Sequence, residues 1–175
     1  TNYYGLISSV GAGMTDSKLP DAQSGFEKGI SVAMAALAGC NGISESSGML
    51  ASLMGCSYES LVIDNEMLGV IMRTVKGIEV SDETLSLEVI KEAVFGDGHF
   101  LRSGQTLEKM KSEYFYPEIL DRKSQLEWRE DGSLDIRKRA EIKVKQILEN
   151  HSPLYIDKKA DSLIRQNFPI QIDFS

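Results

Sequence analysis

The chain has 175 residues, of which 42% are hydrophobic and 26% charged, an ordinary composition for a globular domain with a core of its own. Its formal net charge of −7 argues against a nucleic-acid partner, which would require a basic face. No apolar stretch reaches the roughly 20 residues of a membrane-spanning helix, and neither a cleavable leader nor a cysteine or histidine cluster is recognisable, so we expect a cytoplasmic protein without a metal site.

The N-terminal part of the chain is predicted to form two strands with a helix between them. Residues 3–10 are a short apolar and aromatic run that predicts a buried strand, and residues 40–46 predict a second strand. A Gly-rich turn over residues 11–18 separates the first strand from a helix over residues 20–38, with Pro20 in its first turn because Pro lacks an N–H to satisfy there.

That first helix carries an apolar stripe with a period of 3.6 residues. Its members are predicted to be buried, and they are Phe26, Ile30, Ala33, Met34 and Leu37. Gln23 and Glu27 lie at the N-terminal end of the same stripe. An unpaired buried polar group costs about 1–3 kcal/mol, so these two side chains are expected to find protein partners or a ligand.

A second helix is predicted after the loop formed by residues 47–55. Ser57 is expected to cap it, and it runs to about Thr74 with apolar residues almost all round, which is typical of a buried helix. The order strand–helix–strand–helix predicts parallel βα units of an α/β sheet or barrel. Two strands alone would leave both sheet edges bare, so we interpret the chain as part of a larger α/β protein.

The rest of the chain is predicted to be helical. The expected helices cover residues 82–94 (capped by Ser81), about 106–114, a polar stretch around Trp128, 134–149 (capped by Ser133) and about 157–167. The sequence therefore divides into βα units over residues 1–80 and a helical extension over residues 81–175.

Five polar residues are candidates for a binding or catalytic site, because ligands of parallel α/β proteins gather at the C-terminal ends of strands. Asp16, Gln23 and Glu27 belong to the first such end, Glu45 to the second, and His99 lies on a Gly-rich loop. Each has a structural alternative: Gln23 and Glu27 as partners of loop backbone groups, Asp16 as a helix cap, and His99 as a loop-stabilising residue. For Glu45 the functional reading is more pointed, since strands seldom bury a carboxylate without a partner.

Four long runs resemble the C-terminal part of the trimethylamine methyltransferase superfamily. They cover residues 13–28, 45–68, 98–122 and 137–153. The resemblance extends over nearly the whole chain and corresponds to about the last third of the family's proteins. It implies the C-terminal portion of a TIM barrel, with about two βα units followed by several helices.

The resemblance also implies a reaction. A methyl group would pass from a methylated or quaternary amine to cob(I)alamin carried by a separate corrinoid protein, so this chain would bind no cofactor tightly itself. The family's reaction requires the substrate carbon in line with the cobalt nucleophile, and aromatic faces and a carboxylate suit a cationic amine. Asp16, Gln23, Glu27, Glu45 and His99 become candidates for the substrate- or corrinoid-facing mouth of the barrel, and a homo-oligomer is expected.

Every residue is a standard amino acid, whereas trimethylamine enzymes of the family carry pyrrolysine. If the corresponding position lies in this segment, perhaps in the loop of residues 11–16, the chain resembles the non-pyrrolysine, glycine betaine-type members. If it lies upstream, the sequence gives no information on it. Two alternatives stay open: a non-catalytic docking fragment, and an unrelated TIM-barrel lyase. The latter is disfavoured because no Schiff-base lysine stands at a strand end, Lys18 being in a loop.

Overall fold

A computed structural model describes residues 2–96, 98–151 and 155–170. Helices predominate in this part of the chain, and the strands are short. The helices are α1 (Ala22–Leu37), α2 (Tyr58–Lys76), α3 (Asp82–Leu85), α4 (Leu87–Phe95), α5 (Gly104–Glu113), α6 (Gln125–Glu130), α7 (Ile136–Asn150) and α8 (Lys158–Asn167). The strands are β1 (Ser9–Gly11), β2 (Gly42–Ser44), β3 (Met49–Leu50) and β4 (Gly55–Cys56), and a 3₁₀ turn covers Asn2–Tyr4.

Strands β1 and β2 pair in parallel, with α1 as the connection between them. Ser9 lies opposite Gly42, and Gly11 lies opposite Ser44. The predicted β–α–β order is therefore present. The predicted buried strand over residues 3–10 is wrong in extent and in burial, since only its end is extended and Tyr3 is 90% exposed. A two-stranded ladder has no second layer over this segment that could bury it.

Helix α1 begins later than predicted and buries a different face. Its cap is Asp21, whose carboxylate accepts a hydrogen bond from the backbone N–H of Ser24 at 2.9 Å, so Pro20 precedes the helix. The buried residues are Ser24, Lys28 and Val32. The large side chains of the predicted apolar stripe instead face outwards, with Phe26 71% exposed, whereas Ala33 is partly buried against the core. The reason is that the face in contact with α2 carries Lys28, whose ammonium pairs with Asp64 of α2.

Residues 47–55, predicted to be a loop, form a tight antiparallel hairpin. Met49 pairs with Cys56 and Leu50 pairs with Gly55. Three of the four connecting residues, 51–53, have left-handed backbone, with φ of 50°, 55° and 69°. None of the three is Gly, and left-handed backbone costs roughly 1–2 kcal/mol for such a residue, so the sequence carries no turn signal for this hairpin.

Helix α2 starts at the predicted cap Ser57, whose hydroxyl accepts a hydrogen bond from the N–H of Ser60. The expectation that α2 is buried all round is wrong, since Met72 is 65% exposed. Its buried residues are mostly polar, namely Ser60, Asp64, Glu66 and Ile71. These polar side chains are buried because each forms a hydrogen bond with a group in a neighbouring segment.

Helix α7 and the segment between α5 and α6 pack onto α2. Helix α7 lies along it, with Ala140 fully buried, and the Glu66 carboxylate accepts hydrogen bonds from the N–H groups of Glu118 at 2.7 Å and Leu120 at 3.3 Å. The Phe115 ring packs directly over Gly69. These contacts hold the connection between α5 and α6 against the helix that follows the hairpin.

Among the predicted helices of this region, one is interrupted and one begins at a different cap, whereas two begin where predicted, α3 after the cap Ser81 and α8 near Asp157. The helix over residues 82–94 is broken at Ser86, whose φ of 55° is incompatible with a continuous helix, and α7 is capped by Asp135 instead of Ser133. Helix α8 begins after Asp157, as predicted. Across the described residues no helix combines the length and apolar character needed to cross a bilayer.

Candidate functional site

Glu27 organises the loop that leaves β1. Its Oε2 accepts hydrogen bonds from the Thr15 hydroxyl at 2.5 Å and from the backbone N–H of Asp16 at 3.0 Å. Its Oε1 accepts one from the Gln23 amide at 2.9 Å. These bonds, the Thr15 hydroxyl first among them, lower the pKa of Glu27, because each favours the charged carboxylate. Glu27 is therefore an anion at neutral pH.

The hairpin β3–β4 is fastened onto the same loop. The N–H of Ala51 donates to the carbonyl of Ser17 at 2.8 Å, and the N–H of Ser52 donates to the carbonyl of Thr15 at 3.0 Å. The Ser52 hydroxyl also donates to Oδ1 of Asp16. Three hydrogen bonds thus join the left-handed turn to the loop that carries Asp16.

An open cavity of about 360 Å³ lies between the loop after β1 and the hairpin β3–β4. Its lining consists of Met14, Thr15, Asp16, Glu27, Ser52 and Leu53. Two carboxylates beside a thioether and an aliphatic side chain suit a small cation that carries methyl groups, since charge and apolar surface are both matched. Among the described lining residues there is no aromatic ring, so aromatic faces would have to come from elsewhere in the protein.

Glu45 stands one residue beyond β2 and is exposed, which corrects its predicted place inside a strand. Its backbone is left-handed, with φ of 55°. Its Oε2 accepts a hydrogen bond from the Ser44 hydroxyl at 2.8 Å and lies only 2.8 Å from where a Cβ on Gly11 would be. Glu45 therefore borders the start of the loop that carries Asp16.

His99 lies elsewhere. It lines a separate cleft of about 290 Å³ together with Glu92, Arg102 and Ser103, and this cleft shares no lining residue with the cavity beside Asp16. The structure thus brings Asp16, Gln23 and Glu27 together, places Glu45 at their border, and leaves His99 in a different environment.

Sequence reasoning missed the residues that hold this site in shape. Thr15 and Ser52 are hydroxyl residues in loops, and their roles depend on tertiary contacts with Glu27 and Asp16. Lys28 and Asp64 form a fully buried ion pair, with 2.7 Å between Nζ and Oδ2. One feature of the sequence could have indicated this pair: Lys28 lies four residues from Ser24 and four from Val32, on the same face of the predicted helix.

No group of three or more His, Cys, Asp or Glu side chains in the described ranges is arranged to hold a metal ion.

Comparison with known proteins relates the chain to one family. The family model described as trimethylamine methyltransferase matches residues 1–169. A glycine betaine methyltransferase of Desulfitobacterium hafniense (strain Y51) is 32% identical over 163 residues, which is 93% of this chain and 34% of that protein. A trimethylamine methyltransferase of Methanosarcina thermophila is 39% identical over 158 residues, which is 89% of this chain and 32% of that protein. The chain spans about a third of the length of the curated relatives it matches.

Proposed function

Because the chain belongs to the trimethylamine methyltransferase family, we propose that it forms part of an enzyme that removes a methyl group from a small methylated or quaternary amine. Trimethylamine and glycine betaine are the substrate classes that the names of the relatives suggest. The observation that supports this proposal best is the cavity lined by Asp16 and Glu27, in which the anionic form of Glu27 is stabilised.

The proposed role of the carboxylates is to attract and orient the cation. Glu27 has each oxygen engaged by a donor, so it acts through its charge and by fixing the loop. Asp16 lines the cavity, and its Oδ1 accepts a hydrogen bond from the Ser52 hydroxyl. Met14 and Leu53 supply apolar surface for methyl groups. Moderate attraction suits this chemistry, because an over-stabilised cation would be slow to give up its methyl group.

The methyl acceptor in this proposal is a corrinoid carried by a separate protein, which supplies the nucleophile for the transfer. This chain then needs no tightly bound cofactor of its own. Its contribution is to bind the amine, to hold it in one orientation and to leave one side of the cavity open, and the cavity beside Asp16 is open to solvent.

The proposed architecture is the C-terminal portion of a TIM barrel, of which β1–α1–β2 would supply part of the wall. The parallel pairing of β1 with β2 and the position of the cavity at the C-terminal end of β1 support this assignment. The outward-facing apolar side chains of α1 support burial against further parts of the protein or against a second copy.

Calorimetric titration of the intact protein with glycine betaine, trimethylamine and carnitine tests the proposal. Saturable binding of one amine is expected, and Asp16→Asn should weaken it about threefold to tenfold, because the amide keeps the acceptor for Ser52 but loses the charge. Glu45→Gln should have a smaller effect, since Glu45 only borders the cavity.

Glu130→Gln on α6 is the control, because it changes the net charge by the same amount at an exposed position that does not line the cavity. Binding of none of the three amines by the wild-type protein would contradict the proposal and favour a docking role without turnover.

A further inference from the structure

We propose that the buried Asp64 carboxylate, paired with Lys28, positions the loop of residues 45–48 and through it the amine site, an inference that rests on the proposed function. Lys28 is fully buried and Asp64 is 3% exposed. They join α1 to α2, and neither lines the cavity beside Asp16. The pair can therefore affect amine binding only through the backbone groups that it holds in place.

Oδ2 of Asp64 collects three donors. They are Nζ of Lys28 at 2.7 Å, the backbone N–H of Gly48 at 2.7 Å and the hydroxyl of Ser60 at 3.1 Å. The Lys28 ammonium also donates to the Ser60 hydroxyl at 2.8 Å. The network ties a loop amide to two helices at one buried oxygen.

Gly48 has little freedom beside this tether. Its φ of 81° is left-handed, and a Cβ on it would lie 2.6 Å from Leu61 Cδ2. Two residues earlier, the backbone of Ser46 approaches Gly13 so closely that a Cβ there would lie 2.6 Å from its Cα. The position of Gly48 thus limits where Ser46 and Glu45 lie against the loop that carries Asp16.

Neighbouring residues of α1 hold the two loops. Glu27 binds the loop after β1 through Thr15 and Asp16, and Lys28 binds the loop after β2 through Asp64. Stability alone gives no reason for a buried ion pair, because apolar residues of similar volume often serve as well or better. An apolar pair would provide no hydrogen-bond acceptor for the N–H of Gly48.

Two double variants of the intact protein separate positioning from stability. Lys28→Met with Asp64→Leu keeps an apolar contact between the helices but removes the acceptor for Gly48. Lys28→Met with Asp64→Asn also removes both charges, yet it keeps a carbonyl oxygen for Gly48. If the Leu variant does not fold, Asp64→Ala in the same background removes the acceptor with a smaller side chain.

Hydrogen exchange of the residue 46–48 amides is measured first. It should be at least about tenfold faster in the Leu variant, and the Asn variant should restore slow exchange, because one of them lacks the bond and the other keeps it. Wild-type exchange in the Leu or Ala variant, or equally fast exchange in the Asn variant, would overturn the proposal, and this readout needs no amine.

Amine affinity is measured next on the same proteins. The Leu variant should bind the amine about tenfold more weakly and the Asn variant should recover most of the loss. Equal affinity in the two variants despite different exchange would overturn the link to the amine site. Lack of binding by the wild-type protein would refute the proposed function, and the exchange result would still decide whether the pair positions the loop.

Discussion

Glu27 combines two tasks that a sequence pattern does not separate. Its spacing on α1 correctly indicated that the carboxylate needs partners, but the apolar stripe to which it was assigned faces outwards. The partners come from Thr15, Asp16 and Gln23, of which only Gln23 is on the same helix. The sequence could therefore predict that Glu27 has polar partners, but it could not predict which groups they are.

The lowered pKa of Glu27 predicts a pH dependence of folding. Its usual value is 4.5, and the folded protein holds it below that value. Between the two pKa values the unfolded chain binds more protons, so the stabilising contribution is present above about pH 4.5 and is lost as the pH falls through the folded pKa. Urea unfolding between about pH 3 and pH 7 should show a shallower acid loss for Glu27→Gln than for the wild-type protein.

Glu59→Gln is a suitable control because Glu59 lies in the first turn of α2 and takes part in none of the hydrogen bonds that Glu27 makes to this loop. An identical pH profile for wild type and Glu27→Gln would contradict the assignment of Glu27 as the ionised centre of the loop.

At the scale of the elements, helix caps were predicted more accurately than the buried faces of the helices. Ser57 and Ser81 cap helices as predicted, because the capping bond is local to four residues. The break at Ser86 and the hairpin at residues 51–53 depend on left-handed backbone in residues other than Gly, which local propensity disfavours. The buried face of α1 was predicted wrongly, since the face that packs against α2 carries Lys28, whose partner Asp64 lies on another helix.

The contact between α2 and the segment after α5 predicts a size limit at Gly69. A Cβ there would lie 2.5 Å from the Phe115 ring, so Gly69→Ala should destabilise the fold by about 1–3 kcal/mol despite the better helix propensity of Ala. Gly104→Ala in α5 meets nothing within 4 Å and should stabilise it by a few tenths to about 1 kcal/mol. Thermal or urea unfolding gives both values, and a neutral Gly69→Ala would show that Phe115 moves aside freely.

At the scale of the whole molecule, apolar surface is the dominant feature. Phe26, Met34 and Leu37 on α1 are each more than 60% exposed, and the N-terminal Tyr3 and Ile7 are more exposed still. Isolated exposed apolar residues are ordinary, but a stripe along a helix beside a two-stranded sheet is typical of an interface. The chain matches about a third of the length of its relatives, which agrees with the prediction that such surface is covered in a complete protein.

This surface predicts that the 175-residue chain self-associates when it is prepared alone. Phe26→Gln with Met34→Gln should shift its mass in multi-angle light scattering towards the monomer, because both side chains point outwards and the fold does not depend on them. Phe95→Gln with Leu148→Gln changes equally exposed residues outside the stripe and should leave the mass distribution as it is. A wild-type chain that is monomeric at all concentrations would contradict this prediction.

The adjacency of Glu27 and Lys28 has a consequence for how this part of the family can vary in length. Consecutive residues of a helix differ by about 100° in direction, and here the two directions serve two different loops. One residue inserted before Glu27 within α1 would rotate the helix's N-terminal turn relative to both, whereas one inserted between Ala38 and Asn41 would leave the rotational phase of α1 intact. Homologous chains should therefore keep the number of residues between Asp21 and Lys28 constant and tolerate insertions after the helix ends.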